Sequence, residues 1–265
     1  MQHTALSTAG LAGPSAASQS IREQVAVETL LRFDPLAVSA LERDDLFYHL
    51  AKRAVDVILA AVALVLSAPI MGAIAVAIAL DSRGPVIFRQ QRIRGHRRTA
   101  GGFAYWQRTE FTCLKFRTMV HHADPAVHRD YIAAQIEAQA TGSDEAGAVH
   151  KLSHDSRITR VGQFLRSTSL DELPQLVNVL RGEMSLVGPR PDLPYAVEMY
   201  KPGWYERLAA LPGITGAWQV GGRSEVSYPG MIRLDIDYVR ERSLRLDLTI
   251  LLKTVPVVLT RRGAC

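Results

Sequence analysis

The longest apolar run of the chain extends from Val57 to Leu80, 24 residues without a charged side chain. As one straight helix it would be roughly 36 Å long, enough to cross a hydrocarbon layer of about 30 Å. Pro69 stands at the middle of the run, where a proline removes a backbone hydrogen bond and kinks or breaks a helix. Two interpretations therefore stay open: a single spanning helix, and a re-entrant helix-break-helix hairpin over residues 51–82 that breaks at Ser67 and Pro69.

Basic residues flank this run on both sides, with Lys52 and Arg53 before it and Arg83, Arg89 and Arg92 among those after it. Positive charge marks the cytoplasmic side of a membrane protein. Because both flanks carry positive charge, both ends are expected on the cytoplasmic side, which favours the hairpin.

The rest of the chain has the pattern of a helix-rich α/β-type mixture, without a second apolar run of spanning length. Residues 1–20 carry no charged side chain and predict a disordered tail, and residues 21–50 predict short amphipathic helices. Residues 83–265 predict a cytoplasmic domain, whose last helix either lies at the membrane interface or packs on the domain. Strands are predicted at 84–88 and 111–119, and helices at 125–140, 173–180, 193–200, 228–241 and 244–259.

Arginine dominates the basic residues: the chain has 26 arginines against five lysines, and its formal net charge is +5. Guanidinium groups suit phosphate in a nucleotide, a nucleic acid or a lipid headgroup, although a GC-rich genome gives the same bias. Cys113 and Cys265 lie far apart, which argues against a disulfide scaffold or structural zinc. No HExxH, GxSxG, GxGxxG or P-loop spacing occurs, which argues against zinc hydrolysis, a serine nucleophile and these nucleotide folds.

Asp171 and Glu172 are adjacent carboxylates at a predicted helix start. Ser169 with Glu172 matches the S-x-x-E capping box, which would give the acids a structural role. Pro174 argues for a later start, because a helix capped at Ser169 would need the N–H that this proline lacks. A helix that begins nearer Asp171 leaves the pair available for chemistry, so both interpretations stay open here.

Three further segments combine cations with stiff or glycine-rich backbone. Arg190 lies between two prolines, on an extended backbone that aims the guanidinium and suits a phosphate. The alternation at 115–117 places Lys and Arg on one strand face. Residues 212–223 form a glycine-rich loop that ends in arginine. Each of these segments also has a purely structural interpretation.

Together and in order, these segments resemble the bacterial sugar transferase family, the monotopic phosphoglycosyl transferases, over about residues 50–260. The chain is similar to the small members that lack an N-terminal multi-span domain. It departs from the family pattern in the Ala68 between Ser67 and Pro69, and in longer segments at 95–109 and 120–150. The matching motifs are Lys52-Arg53, Gly84 to Gln90, Lys115 to Met119, Arg157 to Gly162, Ser169 to Leu176, Met184 to Pro191 and Pro212 to Arg223.

The resemblance implies a Mg²⁺-dependent transferase that moves a sugar-1-phosphate from a UDP-sugar to polyprenyl (undecaprenyl) phosphate. UMP is released, and exopolysaccharide or glycoconjugate assembly begins. Asp171 would be the nucleophile that forms an aspartyl-phosphosugar intermediate, kept ionised by a helix N-terminus. Glu172 would be the second catalytic acid and the magnesium ligand. Substrate-binding roles are implied for Lys115, Arg166, Pro189, Arg190, Pro191, Gln219 and Arg223.

The same resemblance implies a bacterial inner (plasma) membrane protein that contacts phospholipid and has its catalytic domain on the cytoplasmic face. No nucleic-acid partner is implied, while a homodimer and the identity of the sugar are left open. The rival hypothesis is a non-catalytic single-span protein whose basic domain binds anionic lipid or nucleic acid. An aromatic content of 7% gives little surface for base stacking.

Overall fold

The computed structural model describes residues 37–42, 46–100, 103–120, 126–141, 157–222 and 226–260. These residues form a helix-rich α/β fold, as the sequence predicts. The strands are β1 (Ala37–Glu42), β2 (Ile87–Ala100), β3 (Phe103–Phe116), β4 (Ser185–Val187) and β5 (Gly213–Thr215). The α-helices are α1 (Leu46–Asp81), α2 (Ala126–Thr141), α3 (Arg160–Thr168), α4 (Gln175–Leu180), α5 (Pro194–Glu198), α6 (Ala217–Gly221), α7 (Tyr228–Glu241) and α8 (Leu244–Leu259).

The larger sheet is built on a long antiparallel hairpin of β2 and β3, paired from Ile87–Phe116 at its base to Ala100–Phe103 at its tip. β1 pairs with the outer edge of β3, which gives the strand order β1-β3-β2. The predicted strands at 84–88 and 111–119 therefore belong to the two strands of one hairpin and pair with each other at its base. The segment 95–109, expected as a long connection, is its distal half. A smaller sheet pairs β4 with β5 in parallel.

The prediction of amphipathic helices over residues 21–50 is wrong for residues 37–42, which form β1. Backbone hydrogen bonds to the edge of β3 decide the conformation of this segment, because tertiary context overrides a weak local preference. Residues 21–36 and the predicted tail at 1–20 lie outside the described residues.

The apolar run lies within α1, whose 36 residues make it long and apolar enough to cross a membrane. The helix continues through Pro69 and begins at Leu46 rather than at residue 51, and the predicted hairpin that breaks at Ser67 and Pro69 stays a prediction. The Ser67 hydroxyl donates to Leu64 O at 3.3 Å. The carbonyl that Pro69 leaves without a helical donor is that of Val65, four residues earlier, so this bond does not replace the missing one.

The N-terminal part of α1 is fixed to the domain by polar contacts. Arg53 donates to the carbonyls of Val179 and Leu180 at 2.6 and 3.0 Å, at the end of α4. Asp56 Oδ1 accepts a hydrogen bond from Leu186 N at 3.0 Å. This end of the helix is therefore tied to both α4 and β4.

The C-terminal end of α1 is fixed to the same domain. Arg117, the first residue after β3, is buried and donates to Ser82 O at 2.6 Å and to Pro85 O at 2.7 Å. Asp81 accepts from Val161 N at 3.3 Å, at the start of α3. Between its two fixed ends α1 exposes large apolar side chains, including Ile58, Leu59, Val62, Val65, Leu66 and Ile70.

The last helix, α8, packs on the domain by one side only. Asp247 is buried and accepts hydrogen bonds from Lys52 Nζ at 2.9 Å, Tyr48 OH at 3.2 Å and Tyr238 OH at 2.7 Å, which joins α8 to α1 and α7. The other side is an exposed apolar stripe, and its contact with a membrane interface stays a prediction. The stripe consists of Leu248, Leu252, Val255 and Leu259.

Candidate active site

Asp171 and Glu172 lie on a 3-10 turn, Leu170–Glu172, between α3 and α4. The turn follows Ser169, whose φ of 59° is left-handed and redirects the chain after α3. The Ser169 side chain makes no cap hydrogen bond, so the predicted capping box does not form. Pro174 occupies the N-cap position of α4, where its missing N–H costs no helical hydrogen bond. The two acids therefore have no capping role.

Two cations converge on one oxygen of Glu172. Lys115 Nζ and Arg190 Nη2 each lie 2.9 Å from its Oε1. Lys115 comes from β3 and Arg190 from the Pro-Arg-Pro segment after β4, so three distant parts of the chain meet at this atom. Only about 15% of the Glu172 side chain is exposed, so water screens these ion pairs weakly.

Asn178 of α4 aligns the Lys115 strand with the acids. Its Oδ1 accepts from Leu114 N at 3.0 Å, and its Nδ2 donates to Thr112 O at 2.8 Å. Asn178 is fully buried, so both bonds are shielded from water. The helix α4, which follows the two acids, thus fixes the position of Lys115 relative to them.

The two adjacent carboxyls have opposite pKa shifts. Burial alone would raise the pKa of Glu172, but attraction by Arg190 and Lys115 outweighs burial and holds this pKa well below its usual range. Asp171 is 9% exposed, and its side chain accepts no hydrogen bond from any described residue. Burial raises the pKa of Asp171, against the attraction of Lys115, and repulsion by Glu172 adds to the rise.

Burial and Glu172 raise the pKa of Asp171, which opposes the effect expected of a helix N-terminus, and the ionised state of Asp171 stays a prediction. Asp171 lies between the C-terminal end of α3 and the short α4, which begins only after Pro174. A dipole acts mainly within the terminal turn of a helix, and burial outweighs it here.

Three other predicted site residues, Arg166, Pro189 and Pro191, also belong to the surroundings of the two acids. The charge of Arg166 on α3 acts on Asp171 and lowers the pKa of that carboxyl. Pro189 and Pro191 flank Arg190, and the carbonyls of both accept hydrogen bonds from other parts of the domain. Their described contacts are backbone contacts that support Arg190.

The glycine-rich loop contributes an aromatic surface beside Arg190. The Trp218 ring centroid lies 5.9 Å from Cζ of Arg190, a cation–π distance. Gln219 is buried, and its Nε2 donates to Ile214 O at 3.4 Å, within the loop itself. Arg223 lies outside the described residues, so its role stays a prediction.

The sequence did not single out two arginines next to Arg190: Arg92, which is half-buried, and Arg207, which is buried. Arg92 of β2 entered the sequence analysis only as a flanking charge, and Arg207 did not enter it at all. Arg92 lies on the strand face that includes Phe88, the partner of Lys115, but this requires the register of the hairpin. Arg207 has no signal in the sequence, because its burial depends on tertiary contacts.

Oxygen ligands for a metal come from the same pair of acids. The described residues contain no group of three or more His, Cys, Asp or Glu side chains that could hold a metal ion. Mg²⁺ needs less, since it binds one or two carboxylates together with substrate phosphates and water. Within the described residues, Glu172 Oε2 and the Asp171 carboxylate accept no hydrogen bond, so the pair fits a magnesium ion that a phosphate substrate shares.

The chain belongs to the bacterial sugar transferase family, whose profile, described as "Bacterial sugar transferase", matches residues 47–261. The sequence-based assignment to this family is thus confirmed. The chain is 40% identical over 215 residues to the "Exopolysaccharide production protein ExoY" of Rhizobium meliloti, which covers 81% of this chain and 88% of that protein. It is 41% identical to the "UDP-glucose:undecaprenyl-phosphate glucose-1-phosphate transferase" of Caulobacter vibrioides, covering 81% and 72% of the two chains.

A third relative is longer than this chain. The "Undecaprenyl-phosphate galactose phosphotransferase" of Salmonella typhimurium is 39% identical over 213 residues, which cover 80% of this chain and 41% of that protein. The similarity to it therefore concerns less than half of the longer protein.

Opposite stability changes are expected when the two carboxyls are neutralised. Because the folded-state pKa of Asp171 is raised, its ionised form costs stability above that pKa, and the cost is absent below about pH 4, where the group is protonated in both states. Asp171→Asn should therefore raise the Tm at pH 7.5 and not at acid pH. Glu172→Gln should lower the Tm, since Lys115 and Arg190 lose their partner. Thermal unfolding of the detergent-solubilised protein tests both, and a lower Tm for Asp171→Asn at pH 7.5 would contradict the assignment.

Proposed function

We propose that this protein is a phosphoglycosyl transferase that moves a sugar-1-phosphate from a UDP-sugar to polyprenyl (undecaprenyl) phosphate and releases UMP. Family membership supports this activity. The names of its relatives support it as well. Two relatives are named as sugar-phosphate transferases that act on undecaprenyl phosphate, and one is named as an exopolysaccharide production protein. The cellular role that we propose is the first step of exopolysaccharide or glycoconjugate assembly.

The observation that carries this proposal is the unequal pairing of the two carboxyls. Glu172 accepts hydrogen bonds from both Lys115 and Arg190 on one oxygen, while Asp171 beside it is buried and accepts none from the described residues. A carboxylate whose lone pairs are free of hydrogen bonds is a better nucleophile than one that is solvated or paired. This difference supports Asp171 as the attacking group and Glu172 as the group that orders the cations.

Transfer through Asp171 takes two displacements at one phosphorus. A carboxylate oxygen of Asp171 attacks the sugar-bearing phosphorus of the UDP-sugar, the bond to the bridging oxygen breaks, and UMP leaves with that oxygen. An oxygen of polyprenyl phosphate then attacks the same phosphorus, which breaks the acyl-phosphate bond and restores the carboxylate. The covalent intermediate replaces one transfer between two large anionic substrates by two simpler steps.

The cations of the site have a distinct task in both displacements. Negative charge gathers on the phosphoryl oxygens, and donors already fixed in place stabilise it without reorganisation. Lys115 and Arg190 are held by Glu172 before substrate arrives, and the charge of Arg166 acts on Asp171. Arg190 keeps 32% of its side chain exposed, so it is the member of the group best placed to meet an entering phosphate.

Magnesium completes the proposal. The residues that would hold it are Glu172, through Oε2, and Asp171 in the free enzyme. When bound, Mg²⁺ supplies charge neutralisation at the phosphate oxygens. Lys115 and Arg190 leave Oε2 available for this task because both bind Oε1.

The long helix supports a location at the inner membrane. Both ends of α1 are hydrogen-bonded to one domain, and its exposed apolar middle lies between them. A folded polar domain stays on one face of the bilayer, so a helix fixed to it at both ends enters one leaflet and does not cross. We infer that α1 is re-entrant on the cytoplasmic face, and that the apolar stripe of α8 contacts phospholipid beside it.

UMP release is the direct test of the activity. Purified protein supplied with Mg²⁺, polyprenyl phosphate and a panel of UDP-sugars should release UMP from at least one sugar nucleotide. Asp171→Asn should lower this rate roughly a thousand-fold or more, because no other group replaces the nucleophile. Asp237→Asn, an exposed acid on α7, is the matched control and should keep full activity. Anionic-vesicle binding without UMP release would favour the non-catalytic alternative.

The magnesium ligand is tested by titration of the metal. Glu172→Gln should raise the Mg²⁺ concentration for half-maximal activity roughly tenfold or more, because it removes a charged ligand. Glu198→Gln, which neutralises an exposed acid on α5, should leave the titration unchanged. An identical Mg²⁺ dependence in Glu172→Gln and in the unmodified protein would remove Glu172 from the metal site.

Membrane topology is tested by labelling from the periplasmic side. In a Cys265→Ser background, single cysteines are placed at Gln2 and at the exposed Arg83, on either side of α1. A membrane-impermeant maleimide should label neither residue in spheroplasts and both after lysis, since a re-entrant helix keeps its two ends on one face. Cys113 is fully buried and gives no background. Labelling of one of the two positions in intact spheroplasts would show a spanning helix.

A further inference from the structure

The Pro-Arg-Pro segment has few groups by which the fold can hold it. Proline has no N–H, so between Pro189 and Pro191 the Arg190 amide is the single main-chain donor. The segment must therefore be fixed mainly through its carbonyl oxygens. All three carbonyls accept a hydrogen bond, and each donor comes from a different element of the fold. The three bonds are Gly213 N to Pro189 O at 2.8 Å, Arg207 Nη2 to Arg190 O at 2.7 Å and Arg92 Nη1 to Pro191 O at 2.9 Å.

Arg207 donates to the carbonyl of Arg190 and is itself held in a buried network of ion pairs and hydrogen bonds. Its side chain is 1% exposed, and its charge is balanced by Asp192 and Asp235, each 2.8 Å away. Tyr200 and Tyr228 donate to the Asp192 carboxylate at 3.0 and 2.5 Å, which leaves this arginine little freedom to move.

Arg92 reaches the carbonyl of Pro191 from β2. Its Nε and Nη2 donate to Gln90 Oε1 at 3.1 and 2.7 Å, so Gln90 sets the direction of the guanidinium. Within the described residues Arg92 has no carboxylate partner, and its charge faces Arg190. The next residue, Ile93, donates its N–H to Asp192 O at 2.9 Å, which joins β2 to the end of the Pro-Arg-Pro segment.

We propose that Arg92 and Arg207 form an arginine clamp, a pair of positioning residues that hold the backbone of Pro189–Pro191 and thereby place the Arg190 guanidinium on Glu172. This proposal rests on the proposed function, since Arg190 is argued to meet the substrate phosphate. Neither member of the clamp contacts Glu172 by hydrogen bond in the described structure, so each acts through Arg190.

The clamp explains why so many buried cations surround one catalytic arginine. The carbonyls of a buried segment need donors, and an arginine supplies several donors from a distant element in a fixed geometry. Loss of either support would let the Arg190 guanidinium move relative to Glu172. A displacement of about 1 Å in such a group can cost a hundred-fold in rate.

A double-mutant cycle on activity tests whether Arg92 acts through Arg190. Arg92→Gln should lower kcat/KM for the UDP-sugar roughly ten- to a hundred-fold, as expected for a misplaced catalytic group. In an Arg190→Gln background, the same change should cause no further loss. The matched control is Arg89→Gln, an exposed arginine on the opposite face of the same strand, which should keep full activity. Equal fold-losses in the two backgrounds would mean a general structural role and would overturn the clamp.

A second cycle needs no activity and separates this proposal from the proposed function. The Tm shifts of Glu172→Gln and Arg190→Gln should be non-additive, because the two residues form an ion pair. In an Arg92→Lys background, which keeps the charge but loses the fork, this non-additivity should shrink. Undiminished non-additivity would overturn the clamp. Absence of UMP release by the unmodified protein with every UDP-sugar would instead refute the proposed function.

Discussion

Glu172 forms ion pairs with both Lys115 and Arg190, whereas the neighbouring Asp171 forms neither. The proposed chemistry depends on this unequal pairing of two adjacent acids. Lys115 and Arg190 meet on Glu172 Oε1, and Asp171 is buried without a hydrogen bond from the part of the chain that the structure describes. Two adjacent carboxylates in one environment would share these cations and titrate together. The left-handed turn at Ser169 directs the two side chains to different surroundings and so separates their roles.

This division requires rigid supports from distant parts of the chain. Asn178 fixes the strand of Lys115, and the arginine clamp fixes the segment of Arg190. Both supports are buried hydrogen-bond networks, which tolerate little displacement of the charged groups that they hold. Burial of Asp171 without a hydrogen-bond partner among the described residues costs folding free energy. The stability of the surrounding structure offsets this cost, as is common at functional sites.

The range of each interaction decides what could be predicted from the sequence. Helices α7 and α8 have the predicted bounds, because their caps, Ser227 and Ser243, and their apolar periodicity are local signals. The acids and Arg190 were found because their motifs occur in a recognisable order. Edge pairing of β1 and the burial of Arg207 between two aspartates depend on contacts between distant segments, which single-sequence patterns do not encode.

The attachment of α1 links the membrane to the chemistry. Arg117 binds the end of this helix through Ser82 and lies two residues after Lys115, directly after the last residue of β3. In the proposed location of α1 in one leaflet, the depth of this helix would set the position of Lys115 relative to the membrane surface, and through Glu172 that of Asp171. A polyprenyl phosphate has its headgroup fixed at the bilayer surface by its own apolar chain. A rigid connection between α1 and β3 is the simplest way to hold the proposed nucleophile at that level, because neither reactant then needs to leave its own phase.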